Sequence, residues 1–146
     1  MTKCFIDTNV IVYANDTNAG TKQTQSLEVI STLMREKAGT LSIQVLQEYA
    51  NTALTKLNQN VPVVLGQIRL LESFPLVAQS PQLVRRSIEI RSTYGISFWD
   101  AAILAAAEFS NCKILLSEDL NPAQFYAGVT VVNPFAAHFD LVALLR

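Results

Sequence analysis

The sequence predicts an α/β fold built around a central, mainly parallel sheet. Short apolar runs of strand length alternate with longer segments of helical periodicity. Strands that alternate with helices form parallel sheets with helices on both faces. The chain of 146 residues is 50% apolar and 16% charged, and no repeat or low-complexity tract divides it. We therefore expect one domain, residues 1–146, with one core.

The first elements follow in order from the apolar pattern. Four short apolar runs predict buried strands at residues 4–6, 40–42, 114–116 and 129–132. Two segments between the first and third of these strands carry apolar faces with helical spacing. One face consists of Leu27, Ile30, Leu33 and Met34, and the other of Leu46, Ala50, Ala53 and Leu57.

Three further helices are predicted. Residues 61–71 form an apolar segment with more large side chains than one buried face needs, so it either packs on the sheet or forms an oligomer surface. Ser80 is a helix N-cap followed by Pro81 in the first turn, and Gly95 ends that helix near Tyr94. Residues 98–107 are apolar almost all round, which predicts a buried helix; Trp99 is expected in the core of the protein, with a stacking surface for bases as the alternative.

Several enzyme classes lack their usual residues in this chain. Cys4 and Cys112 lie in apolar stretches typical of buried free thiols, and the single histidine, His138, is expected to be structural or exposed. Zinc hydrolases and nucleases that use two histidines are therefore disfavoured. The sequence has neither a Gly-x-x-x-x-Gly-Lys phosphate loop nor a Gly-x-Ser-x-Gly elbow.

Charge and hydropathy set the expected environment. The first seven residues reach an acid after a very short apolar stretch, and no apolar run approaches the roughly 18 residues of a spanning helix. We expect a cytoplasmic protein without membrane contact. The net charge of −1 lacks the basic surplus of many nucleic-acid binders, although a carboxylate cluster can mask a local basic patch. The basic residues, Lys56 among them, are scattered, so each is expected to be solvated, with phosphate contact as the alternative, and Arg85 is spaced to pair with Glu89.

Acidic side chains follow two of the predicted strands directly. Asp7 comes after residues 4–6, and the pair Glu118 and Asp119 follows residues 114–116 after Ser117. In open α/β sheets the ligand crevice lies beyond the carboxyl ends of the strands. These acids are therefore candidates for a site, while helix capping by Asp7 and a solvated turn at 118–119 are the structural alternatives.

Two further acids lie in predicted helices. Asp100 stands three residues after Ser97, which is capping-box spacing, at the mouth of the buried helix. It either only caps that helix or also serves a ligand near the helix N-terminus. Glu48 lies about opposite the apolar face of its helix, so it belongs to a solvated face or to the wall of a polar cleft.

The motifs together resemble those of PIN-domain nucleases, and of the VapC-type toxins in particular. The matching segments are FIDTNVIVY at 5–13, QE at 47–48, YGISFWDAAI at 94–103, LLSEDL at 115–120 and VTVVNPF at 129–135. They occur in the order of the family and extend over essentially the whole chain. The resemblance implies a PIN-like three-layer α/β/α sandwich, an acidic catalytic pocket, Mg²⁺ or Mn²⁺ as cofactor, and cleavage of RNA.

The resemblance also implies roles for individual residues. Asp7, Glu48, Asp100 and Asp119 match the four acids of the family, in that order. Asp7, Asp100 and Asp119 are the expected metal contacts. Asn9, Ser117 and Glu118 are expected to support them. Because Glu118 and Asp119 are adjacent, either side chain could face the metal, and we favour Asp119.

The chemistry of such a site agrees with this interpretation. Converging carboxylates repel one another and raise each other's pKa unless a cation lies among them. Mg²⁺ prefers oxygen ligands, keeps several waters and bridges carboxylates to phosphate oxygens. The expected reaction is metal-assisted hydrolysis of a phosphodiester bond by an activated water.

Three hypotheses about function remain at this point. The first is a metal-dependent endoribonuclease that acts as the toxin of a toxin–antitoxin pair, forms a homodimer and binds a cognate antitoxin protein. The second is a PIN-like binding or scaffold module without catalysis. The third is an RNA-processing nuclease without an antitoxin. The presence of all four acids favours catalysis, because a binding module has no physical need for a repulsive cluster.

Overall fold

The computed structural model describes residues 1–121 and 124–146. Within them, the strands are β1 (Cys4–Ile6), β2 (Gly39–Ser42), β3 (Leu76–Val77), β4 (Ile114–Leu116), β5 (Phe125–Tyr126) and β6 (Val129–Val132). The helices are α1 (Thr8–Ala14), α2 (Thr21–Arg35), α3 (Ile43–Thr55), α4 (Val61–Leu71), α5 (Pro81–Tyr94), α6 (Phe98–Phe109) and α7 (Leu141–Leu145). The α/β prediction is confirmed, and β3 and β5 are strands that the sequence patterns did not predict.

The strands form a six-stranded sheet in the order β3-β2-β1-β4-β6-β5. All neighbours pair in parallel except β5, which runs antiparallel to β6 at one edge. Every residue of β1 is buried, as expected for a central strand that is covered on both faces. The helices flank this sheet and complete the expected three layers.

The helix boundaries reflect local capping chemistry. Ser80 Oγ accepts a hydrogen bond from Leu83 N, and Gly95 ends α5 in the left-handed region at φ 66°. Ser97 Oγ accepts from Asp100 N at the start of α6. Both starts agree with the sequence patterns, because a capping side chain bonds to a backbone amide only three residues away.

The buried faces of two helices differ from the prediction. In α3 the buried positions include Val45, Tyr49 and Ala53, so the core-facing side is rotated relative to the expected stripe through Leu46 and Ala50. In α2 Leu27 is exposed, while Val29, Ile30 and Leu33 are buried. The apolar pattern locates the helices, but neighbouring elements decide which face each one buries.

Other expectations concern single side chains. Cys4 and Cys112 are free and buried, and His138 is exposed, as predicted. The expected pair between Arg85 and Glu89 is wrong: the structure pairs Arg86 of α5 with Glu108 of α6 instead, at 2.7 Å. No helix of the described residues is long and apolar enough to cross a membrane.

Candidate active site

The candidate site lies in the middle of the sheet, where successive strands change from one side of β1 to the other. From β1 the chain builds β2 and β3 on one side, and it later returns to place β4 and β6 on the other. The crevice beyond the carboxyl ends of two such strands is the usual ligand site of an open α/β sheet. Ile6 pairs with Leu116 at the ends of β1 and β4, so Asp7 and Ser117 emerge side by side.

A cavity of about 510 Å³ opens at this place. Its walls come from α1 with its N-cap residue, from α3, from α6 and from the loop after β4, and each of these contributes one acid. These acids are Asp7, Glu48, Asp100 and Asp119. Four carboxylates that are up to 112 positions apart in the sequence thus line a single cavity.

Asp7 is the most deeply buried of these acids, with 5% of its surface exposed. Oδ1 accepts a hydrogen bond from Thr8 N at 2.7 Å, and Oδ2 accepts one from Ser117 Oγ, also at 2.7 Å. Burial raises the pKa of Asp7 to about 7; the two hydrogen bonds oppose this rise, and the nearby charges of Asp119 and Asp100 add to it. Asp7 therefore acts both as the cap of α1 and as a carboxylate with unusually high proton affinity.

Asn9 and Ser117 hold the acids in position. Asn9 Nδ2 donates to Asp119 Oδ2 at 3.1 Å, to Ser117 Oγ at 3.3 Å and to Asp7 Oδ2 at 3.4 Å. Ser117 Oγ in turn accepts from Asp119 N at 3.1 Å. The supporting roles expected of these two residues have a direct geometric basis, since one amide and one hydroxyl connect Asp7 to Asp119.

Glu48 and Asp100 approach the same cavity from two helices. Thr8 Oγ1 donates a 2.6 Å hydrogen bond to Glu48 Oε1, which joins α3 to the start of α1. Asp100 lies in the first turn of α6, where its amide is bonded to the capping hydroxyl of Ser97. The polar-cleft interpretation of Glu48 is the one that matches this arrangement. Sequence reasoning had not singled out Thr8 as its partner.

The two adjacent acids after β4 have different surroundings. Asp119 lines the cavity, whereas Glu118 forms an ion pair with Lys22 and accepts a 2.6 Å hydrogen bond from the Tyr13 hydroxyl. Partial burial alone would raise the pKa of Glu118, but Lys22 and Tyr13 outweigh it and hold that pKa below its ordinary value. Glu118 is therefore a charged anchor for the loop, and its backbone amide donates to Asn9 Oδ1 at 3.3 Å.

Comparison with known proteins agrees with this geometry. The family model of the PIN domain matches residues 4–127. The chain belongs to the PIN-domain family. A comparison with curated protein sequences gives no match.

Several solved structures have a similar fold over most of this PIN domain. A chain of a toxin–antitoxin complex from Klebsiella pneumoniae has a TM-score of 0.69 and 19% identity, covering 91% of this chain and 98% of that one. VapC20 of Mycobacterium tuberculosis, described as a toxin that cleaves the sarcin-ricin loop, has a TM-score of 0.65 and 16% identity, covering 80% and 90%. A DNA-bound VapBC from Salmonella typhimurium has a TM-score of 0.66 and 17% identity, covering 90% and 97%.

The side chains of this PIN domain can be compared with what a divalent ion requires. In the part of the chain that the structure describes, no three His, Cys, Asp or Glu residues form a ready-made ligand cage. Mg²⁺ does not need one, because it usually binds one or two protein carboxylates and keeps several waters. The buried Asp7, whose pKa is raised partly by the charges of Asp119 and Asp100, is the kind of group that a nearby cation would stabilise in its ionised form. The donor set fits Mg²⁺ or Mn²⁺.

Two further residues, Trp99 and Lys56, line the cavity. Trp99 was expected in the core but is 62% exposed and lines the cavity. It occupies the first turn of α6, at the end of that helix rather than along its buried middle. Lys56, at the C-terminal cap of α3, lines the same cavity. An apolar pattern shows which residues of a helix are apolar. It does not show whether a neighbouring element covers the end of that helix.

Proposed function

We propose that this PIN domain is a metal-dependent endoribonuclease that hydrolyses phosphodiester bonds of RNA and acts as the toxin of a toxin–antitoxin pair. One observation carries the proposal: four carboxylates from separate elements of the fold line one cavity. Bringing acids together costs free energy through mutual repulsion. A cation and a phosphodiester substrate provide a physical reason for that arrangement.

The residues divide the proposed work between them. Asp7, Asp100 and Asp119 would hold Mg²⁺ or Mn²⁺ directly or through its waters, and Glu48 and Asp119 would orient water in the cavity. When bound, such an ion lowers the pKa of a coordinated water and stabilises negative charge on the phosphate. Asn9 and Ser117 keep the carboxylate oxygens of Asp7 and Asp119 in fixed positions through the hydrogen bonds described above.

The proposed partners have separate support. Structures of similar fold include a toxin–antitoxin complex and VapBC assemblies, which supports a cognate antitoxin for this chain as well. The α4 side chains Val61, Val63, Leu65 and Leu70 are between 48% and 58% exposed, which supports a homodimer or antitoxin contact at this helix. We place the toxin in the cytoplasm, where its RNA substrate and its antitoxin are made.

The decisive experiment is cleavage of a mixed RNA pool by the purified protein with Mg²⁺, with Mn²⁺ and with EDTA. Asp7→Asn and Asp100→Asn keep the size of the side chain and remove its charge. We expect metal-dependent cleavage that both substitutions abolish. Glu72→Gln is the matched control, because Glu72 is an exposed acid at the end of α4 and does not line the cavity.

The possible results separate the three hypotheses. Cleavage that persists in EDTA, or that survives both substitutions, contradicts the metal-dependent mechanism. Binding of RNA without cleavage by the wild-type protein would indicate a binding module. Growth arrest on expression would indicate a toxin if it is relieved by co-expressing a protein whose gene lies next to the gene of this chain. Without such relief, an RNA-processing nuclease would be favoured.

A further inference from the structure

The rim of the acidic cavity carries an exposed aromatic side chain, Trp99. It is the single tryptophan of the chain, and 62% of its surface is exposed. Its ring contacts Phe98 edge-to-face with a centroid distance of 5.1 Å, and its backbone carbonyl accepts a hydrogen bond from Gln44 Nε2 at 3.2 Å. The residue is therefore held by its neighbours while its ring stays largely open to solvent. An open indole surface beside a polar cavity can stack on a flat, unpaired base.

A lysine lines the same cavity. Lys56 is exposed, and among the described residues it has no ion-pair partner. Lys22, which lies close to the site, is instead paired with Glu118. An anionic strand that approaches the carboxylates of this cavity thus finds an available ammonium group at Lys56.

Lys56 also lines a second cavity, of about 530 Å³. The loops α1–α2 and α3–α4 form it, and amide side chains are frequent among its residues, including Asn15, Asn18, Asn58 and Asn60. Gln59 fixes the two loops relative to each other: its Oε1 accepts from Tyr49 and its Nε2 donates to the carbonyl of Asn15 at 3.2 Å. Lys56 lines both cavities, so they are neighbours, and we call the two together the trough.

We propose that Trp99 and Lys56 are the residues of this trough that hold the RNA substrate beside the acids, with an unpaired base stacked on the Trp99 ring and a backbone phosphate bound by the Lys56 ammonium group. Asn18 and Asn58 have no side-chain hydrogen bond within the described residues, unlike Asn15 and Asn60, and they take the next nucleotide, since amides can donate to and accept from base edges and phosphates. Single strands fit because stacking on an indole needs an unpaired base. This inference rests on the proposed ribonuclease function and adds two residues that bind the substrate.

The single tryptophan makes the proposal directly measurable. Asp7→Asn protein, which should bind RNA without cleaving it, is titrated with a single-stranded oligouridylate while Trp99 fluorescence is recorded. We expect quenching that saturates, and about tenfold weaker binding of a blunt RNA duplex of the same length. No change in fluorescence, or equal affinity for the duplex, would overturn the stacking assignment.

Variants then test each contact, with labelled RNA and anisotropy as the readout. Trp99→Ala should weaken binding about tenfold, and Trp99→Phe should restore most of it. Phe109→Ala is the control, a similarly exposed aromatic at the opposite end of α6. Lys56→Gln should lower the slope of log affinity against log salt concentration by about 0.7, the value for one phosphate of a single strand. Lys113→Gln, next to the amino end of β4, should leave the slope unchanged.

The outcomes distinguish this inference from the function on which it rests. If the wild-type protein cleaves RNA but Trp99→Ala and Lys56→Gln keep the wild-type KM, the ribonuclease stands and the trough is wrong. If RNA binds as expected but no RNA is cleaved, the trough stands and the catalytic proposal fails. If Trp99→Ala abolishes dimer formation in solution and leaves RNA affinity unchanged, Trp99 belongs to a protein interface and the inference is overturned.

Discussion

Asn9 donates a 3.1 Å hydrogen bond to Asp119, a residue 110 positions further along the chain. The same amide nitrogen lies 3.4 Å from Asp7 Oδ2, so one neutral donor stands between two carboxylates that come from neighbouring strands. Such a donor relieves part of the repulsion between the acids and fixes their separation. The hydrogen-bond pattern thus makes Asn9 a positioning residue for both acids.

Replacing Asn9 by Leu keeps the approximate size of the side chain and removes its hydrogen bonds. We predict a 10- to 100-fold loss of RNA cleavage, the usual range for residues that orient metal-binding side chains. The measurement is the cleavage rate as a function of Mg²⁺ concentration, where the midpoint should move to higher concentration. Asn51→Leu is the control, since Asn51 lines the same cavity but has no side-chain hydrogen bond within the described residues. An unchanged midpoint in Asn9→Leu would contradict the role of Asn9.

The high pKa of Asp7 predicts how stability depends on pH in EDTA. In the unfolded chain this carboxyl ionises near 3.8, and in the folded protein near 7. The folded state therefore binds the proton more tightly, and the free energy of unfolding falls as the pH rises from 3.8 to about 7. Asp7→Asn cannot ionise, so it should be more stable than the wild type above pH 7, by at most about 4 kcal/mol.

Urea unfolding at pH 5 and pH 8 in EDTA measures this effect. The advantage of Asp7→Asn over the wild type should be larger at pH 8 than at pH 5. Glu72→Gln, at an exposed acid, should give the same difference from the wild type at both values. If Asp7→Asn were no more stable than the wild type at pH 8, the buried charge of Asp7 would not lower the free energy of unfolding as we infer.

The ion pair between Lys22 and Glu118 predicts an effect on activity that exceeds its effect on stability. Lys22→Met removes the cation that holds Glu118, and with it a support of the loop that carries Asp119. Partly exposed ion pairs contribute about 1 kcal/mol or less to stability. We predict a loss of cleavage of about tenfold, with most of the activity recovered in Lys22→Arg.

The chain offers a matched control for this pair. Arg86 and Glu108 have similar side-chain exposure, 37% and 33% against 39% and 25% for Lys22 and Glu118, and they join α5 to α6 away from the cavity. Arg86→Met should lower the free energy of unfolding by a similar amount and leave cleavage unchanged. Equal losses of activity in Lys22→Met and Arg86→Met would show that the effect is general destabilisation.

Replacing glycine by alanine should change the stability in opposite directions at Gly39 and Gly66. A Cβ atom at Gly39 in β2 would lie 2.6 Å from Phe74 Cε1 and 3.1 Å from Leu33 Cβ, and Phe74 is buried. Gly39→Ala should therefore destabilise the protein by about 1–3 kcal/mol. Gly66 lies within α4 with open space around it, so Gly66→Ala should stabilise by about 0.5–1 kcal/mol. Thermal unfolding of both variants measures the two signs.

Features that depend on nearby residues were predictable from the sequence. The Ser80 cap with Pro81, the end of α5 at Gly95 and the Ser97 cap all appear where the sequence predicts them. Each is a hydrogen bond or a backbone conformation set within about four residues. β3 and β5 were missed because strands of two residues are too short to show any periodicity.

Features that depend on distant residues were predictable only as candidates. The acids were named from their places after strands and in helices, together with the family resemblance. Nothing in the sequence indicates that Thr8 bonds to Glu48, or that Lys22 and Tyr13 take Glu118 away from the cavity. The exposure of Trp99 was predicted wrongly, because local hydropathy gives no information about which elements cover a helix end.

The family resemblance named the candidate acids, and the sequence by itself determined the class of fold and the positions of the main elements. It could do so because periodicity, caps and turns depend on short-range sterics and hydrogen bonds. Only the tertiary structure decided which acid of the pair Glu118 and Asp119 lines the cavity, and which faces of α2 and α3 are buried. The physical reason is that strand register and helix rotation bring together side chains from opposite parts of the chain, and these contacts depend on every element at once.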